Sequence, residues 1–119
     1  MKTLISILEE SLKDLKENEI KTLELVTPDN VKTAENLERG EEVFVTTAGK
    51  RDAKPGTKGV IAEVKYKKRF YNKIGSLFDE KEALTVRVQL EYLEDADAKD
   101  VMIEDRGLET EIEKHFLFG

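Results

Sequence analysis

Residues 65–73, Lys65-Tyr66-Lys67-Lys68-Arg69-Phe70-Tyr71-Asn72-Lys73, interleave cations with aromatic rings. That combination suits single-stranded nucleic acid: the cations neutralise phosphates, and the ring faces stack on unpaired bases at ~1–3 kcal/mol each. Duplex binding would rest mainly on Lys and Arg meeting phosphates, with a steep salt dependence. A second cationic stretch precedes it, Lys50, Arg51, Lys54 and Lys58, in a loop punctuated by Gly49, Pro55, Gly56 and Gly59. Packing offers the competing use for the rings, with Tyr66 pointing into a core and Phe70, Ile74, Leu77 and Phe78 folding back onto it. The lysines and Arg69 have no such use.

Other chemistry lacks its materials. The chain has no cysteine and one histidine, His115, so nucleophile–base pairs and transition-metal sites cannot be assembled in the usual ways. The 48–59 loop lacks the Gly-Lys-Ser/Thr of a phosphate loop and the helix that must follow it. Gly56-Thr57-Lys58-Gly59 has the GxxG form of a nucleotide clamp, but it leads into a strand instead of joining two helices. Asp95, Asp97 and Asp100 lack the central glycine and in-register glutamate of a calcium loop. The expectation is a protein that is not an enzyme, with no catalytic residue, no metal site and no cofactor.

Charge is distributed unevenly over the 119 residues. The chain carries 20 basic and 26 acidic side chains, a net charge of −6. Between residues 50 and 73, however, the nine basic residues already named face only Asp52 and Glu63. A basic block within an acidic chain predicts one face for an anionic partner and others that stay solvated. No apolar run approaches the ~20 residues of a membrane span, and the apolar N-terminal stretch is interrupted by Glu9 and Glu10 before any cleavage site. A cytoplasmic location without membrane association is expected.

The elements that must position these residues follow from apolar periodicity. Leu4, Ile5, Leu8, Leu12 and Leu15 predict an amphipathic helix over 3–18, stopped at Asn18. A short extended stretch over 20–27 places Leu23 and Leu25 on one face. A second helix follows, capped by Asp29 or Asn30 and closed by Gly40. From residue 41 the period becomes two. Val43 and Val45 lie in one strand, Val60, Ala62, Val64 and Tyr66 share a face of the next, and Leu84 to Tyr92 make a third. An acidic turn at 94–99, a last strand at Val101–Ile103 and a short helix over 108–116 complete the reading.

The stretch from Arg39 to Lys68 reads RGEEVFVTTAGKRDAKPGTKGVIAEVKYKK. Its G-x-x-V-x-V strand from Gly40, followed after a loop by G-V-I-x-E-V from Gly59, resembles the KOW motif of SH3-like barrels in NusG-type elongation factors and ribosomal proteins. The resemblance spans about residues 39–108. It implies that Gly59 permits a tight turn and that Val60, Ala62 and Val64 fill a barrel. It departs from the family at residues 69–83, where a long insertion replaces a tight turn. The fold expected is α+β, a small antiparallel SH3-like, KOW-like β-barrel over 41–119 with an N-terminal helical element over 1–40 and a short C-terminal helix. The function expected is a DNA- or RNA-binding module near the transcription or translation machinery. Its contacts would be Lys50, Arg51, Lys54, Lys58, Lys65, Lys67, Lys68, Arg69, Phe70, Tyr71 and Lys73. The alternative is a protein-binding adaptor or inhibitor that uses the apolar 74–78 segment or the N-terminal helix.

Overall fold

The computed structural model describes residues 1–76, 79–104 and 107–113, with side chains over 1–70 and 84–99. Its elements run β1 (Thr3–Leu4), α1 (Glu9–Asn18), β2 (Ile20–Leu25), α2 (Pro28–Glu35), β3 (Glu42–Val45), β4 (Lys58–Ser76), β5 (Asp79–Glu104) and β6 (Gly107–Glu113). They form an α+β domain in which two helices cover one face of a mostly antiparallel sheet. The strand order is β1-β3-β4-β5-β2, with β6 also paired to β5. Among the described residues only β1 and β3 run parallel. No strand pair joins β1 to β2, so the expected closed barrel does not form among the described residues, and β2 is left as an edge.

The core lies between the helices and the inner face of the sheet. Val60, Ala62 and Val64 of β4, Val86, Val88 and Leu90 of β5 and Leu23 and Leu25 of β2 meet Leu15 of α1 and Ala34 of α2 there. On the opposite face Phe44, Ile61, Ala96 and Ala98 make a smaller buried cluster, so β3 is buried on both sides.

Several sequence expectations give way to tertiary pairing. The first helix begins at Glu9, not at residue 3. Thr3 and Leu4 pair with Phe44 and Val45, and Ser6, at φ 53°, turns the chain before helical hydrogen bonding starts. The end at Asn18 agrees with expectation, with Glu19 left-handed at φ 66°. Thr27 occupies the N-cap position of α2 and Pro28 its first turn. Asn30 instead lies buried inside the helix, accepting from the Ile5 amide (2.9 Å) and donating to the Ile5 carbonyl (2.7 Å). Gly59 does not make a turn: it sits within β4 opposite Ala96. A Cβ there would come within 2.6 Å of the Phe44 ring and overlap the Val45 carbonyl.

The acidic 94–99 segment does not turn. It continues β5 into the stretch expected as a separate last strand, because Ala98 exchanges backbone hydrogen bonds with Gly56 (2.7 Å) and Thr57 (2.8 Å). Those bonds, with Ala96 and Ala98 buried, outweigh the weak strand preference of Asp and Ala. Residues 107–113 form β6 against β5, not the start of a helix; residues 114–119, including His115, lie outside the described residues. Within the insertion expected at 69–83, β4 and β5 continue their ladder, paired from Arg69↔Val86 to Ser76↔Asp79. Leu77 and Phe78 lie outside the described residues.

Candidate nucleic-acid interface

The decisive local feature is a register shift in β4 between Val64 and Tyr66. Before it, Val60, Ala62 and Val64 face the helices. One extra residue, Lys65, enters β4 there, and such a bulge exchanges the faces of everything after it. Tyr66, Lys68 and Phe70 therefore stand on the outer face, and Tyr66 is 54% exposed. Simple alternation places Tyr66 in the core with Val64; the bulge is what it misses.

Antiparallel pairing completes this face from β5. Gln89 lies opposite Tyr66, Arg87 opposite Lys68 and Thr85 opposite Phe70. The Phe70 ring holds two cations, with Arg87 Cζ 4.4 Å and Lys68 Nζ 5.0 Å from its centroid. Arg87 also donates from Nε to Glu24 Oε1 of β2 at 2.7 Å. Arg87 and Gln89 belong to this surface although the basic block ends at Lys73. The alternation of β5 puts them opposite Val86 and Val88, and that was the available signal.

The remaining cations have diverse positions. Lys65 bridges Glu63 and Glu91, which the register sets directly opposite one another. Those two hydrogen bonds raise its pKa above the ordinary lysine value, and the bulged lysine thus relieves a like-charge cross-strand pair. Lys67 turns to the inner side and donates to the carbonyls of Glu35 (3.0 Å) and Leu37 (2.7 Å) at the end of α2. Burial there, then the nearby Arg69, holds its pKa below the ordinary range. Arg69 shares the inner side and is exposed. Tyr71 and Lys73 continue β4, but their side chains lie outside the described residues.

The loop cations are remote from this face. Lys50 approaches Asp29 at 3.6 Å, and Arg51, Lys54 and Lys58 are exposed. Lys58 lines a groove of about 340 Å³ between α1 and the sheet, with Lys16, Asp95 and Asp97. Ten residues of strand separate Lys58 from Lys68, about 30 Å at ~3.3 Å per residue. The contiguous basic block of the sequence is thus divided into a loop group and a sheet group. On the outer face Lys65, Lys68 and Arg87 alternate with Glu24, Glu63 and Glu91, so charge there is balanced and the aromatic rings are its distinguishing feature. Among the described residues no His, Asp and Glu side chains converge as a metal site, and no helix is long and apolar enough to cross a membrane.

Fold and surface together define a small α+β domain that buries one sheet face under two helices and presents aromatic and cationic side chains on the other. The chain belongs to the family described as Protein of unknown function (DUF473), whose pattern matches residues 1–112. It is similar to an uncharacterized protein of Methanocaldococcus jannaschii, with 37% identity over 90 residues. That match covers 76% of this chain and 59% of the archaeal protein, so it spans little more than half of that relative's length.

Proposed function

We propose that this chain is a non-enzymatic, cytoplasmic nucleic-acid-binding module whose contact surface is the outer face of β4 and β5. The observation that carries this reading is the row Tyr66, Lys68 and Phe70, flanked by Arg87 and Gln89 on one exposed antiparallel face. Flat rings on a sheet accept bases from a single strand, cations between them meet the phosphates, and an amide such as Gln89 can hydrogen-bond a base edge. Local charge balance favours stacking over phosphate neutralisation, and hence single strands over duplex. The KOW resemblance supports a place near transcription or translation.

The test is binding of fluorescent single- and double-stranded DNA and RNA between about 50 and 200 mM salt, where phosphate contacts weaken steeply. Single strands should bind, with a shallow salt slope, and the Tyr66→Ala, Phe70→Ala double variant should lose that binding with an unchanged circular dichroism spectrum. Undiminished binding by the double variant would overturn the sheet-face assignment. Absence of wild-type binding at the lowest salt would overturn the nucleic-acid reading and favour a protein partner.

A further inference from the structure

The sheet ends at β2 with its outer edge unpaired among the described residues. Glu19 accepts from the Tyr92 amide, and the β2–β5 register continues that pair as Lys21↔Leu90, Leu23↔Val88 and Leu25↔Val86. Because backbone groups alternate sides along an antiparallel strand, the N–H and C=O groups of Ile20, Thr22 and Glu24 point away from β5. Edges of this kind are ordinarily guarded by proline, a bulge or an outward lysine. β2 contains no proline, pairs with β5 without a bulge, and has its one lysine, Lys21, tied back to Asp14 at 3.1 Å. Instead, exposed apolar side chains surround the edge: Ile20 is 49% exposed, Val26 65% and Leu8 72%. Leu8 and Val26 line a groove of about 350 Å³ that runs beside β2, between it and the segment entering α1.

We propose that β2 pairs antiparallel with β2 of a second copy of this chain, forming a two-fold dimer centred on Leu23. The sequence of the edge selects this occupant and this register. Centring on Leu23 sets Ile20 opposite Val26 of the second copy and Thr22 opposite its Glu24, so the outward backbone groups match and the exposed apolar residues cover each other. Centring on Thr22 would put Ile20 against Glu24, and centring on Glu24 would oppose two carboxylates, which is unfavourable. A self-complementary edge closes with two-fold symmetry, since the pairing of each β2 uses the edge of the other. The two sheets become continuous, with both Tyr66–Phe70 rows on the same side and their β4 strands about 24 Å apart, five steps of ~4.8 Å. The inference does not rest on the proposed function.

Sedimentation velocity of the full chain from micromolar to millimolar concentration tests it. The wild-type chain should form a dimer. Thr22→Pro removes an outward N–H that β5 does not use, a place where proline is tolerated, and should give a folded monomer by circular dichroism. Val26→Glu, at an exposed position, should weaken the dimer at least about tenfold, as loss of an interface anchor does; should the proline variant not fold, this one decides. A wild-type chain that stays monomeric throughout, or a dimer undiminished by Val26→Glu, would overturn the proposal.

Discussion

Arg87 Cζ lies 4.4 Å from the centroid of the Phe70 ring while the same guanidinium holds Glu24 of β2. One side chain thus ties three strands together on the outer face and biases the orientation of the Phe70 ring. Lys68, 5.0 Å from the same ring, makes Phe70 the centre of the proposed contact surface. A cation on an exposed ring is worth about 0.5–1 kcal/mol, enough to bias the ring without locking it.

Replacing Tyr66 or Phe70 with alanine should cost ~1–3 kcal/mol of single-strand affinity each, the usual value of a stacked base. Lys68→Glu should lower it as well. Tyr66→Ala should leave the urea midpoint within about 0.5 kcal/mol of wild type, as at most exposed sites. Fluorescence anisotropy and urea titration read the two effects separately.

Lys67 separates structural from binding roles within one cationic run. Lys67→Met removes the donor to the Glu35 and Leu37 carbonyls, and the expected loss is about 1–3 kcal/mol of stability. Nucleic-acid affinity under folded conditions should not change. An equal affinity loss for Lys67→Met and Lys68→Met would contradict this division.

Asn30 closes the N-terminal segment onto α2 by donating to and accepting from Ile5. Asn30→Ala leaves a buried amide and carbonyl without partners, at a cost of about 1–3 kcal/mol. Asn30→Asp can still accept from the amide but, when ionised, faces the Ile5 carbonyl with no hydrogen to donate. It should be at least as damaging at neutral pH and recover in part on acidification. Chemical denaturation at two pH values checks both.

Gly59→Ala should destabilise the chain by about 2–3 kcal/mol, as overpacking does, since its Cβ meets the Phe44 ring and the Val45 carbonyl. Phe44→Leu introduced alongside should not restore stability fully, because the carbonyl is backbone. Thermal unfolding of the single and double variants distinguishes ring crowding from backbone crowding.

Alkaline stability depends on groups that shift in opposite directions. Lys65, through its bonds to Glu63 and Glu91, and Tyr92, through burial and its hydrogen bond to Asp95, hold their protons more tightly folded than unfolded. Their contributions are full below the ordinary values of 10.5 and 10.0 and are lost as pH rises through the higher folded values. Lys67 has a lowered folded pKa, so its contribution grows as pH rises from that value towards 10.5. Tyr92→Phe should therefore show a shallower loss of stability above neutral pH than wild type, and Lys67→Met a steeper one, in urea midpoints measured across the alkaline range.

The local rules were legible without coordinates. Apolar spacing of two and of three to four residues located the Asn18 end of α1, the second helix, and the strands around Val43, Val60 and Val86, because those faces are buried by the same side chains that set the period. Composition identified the cations and rings that share the outer face. Tertiary pairing alone decided where they point. The extra residue at Lys65 reversed the faces of β4, bringing Tyr66 to solvent and sending Lys67 to cap α2. Pairing also drew an acidic stretch that reads as a turn into β5, made a strand of 107–113, extended the β4–β5 ladder over 69–76 and 79–83 and left the sheet open at β2 among the described residues. A bulge and a long-range ladder depend on backbone hydrogen bonds between residues distant in sequence, and no local pattern of side chains specifies them.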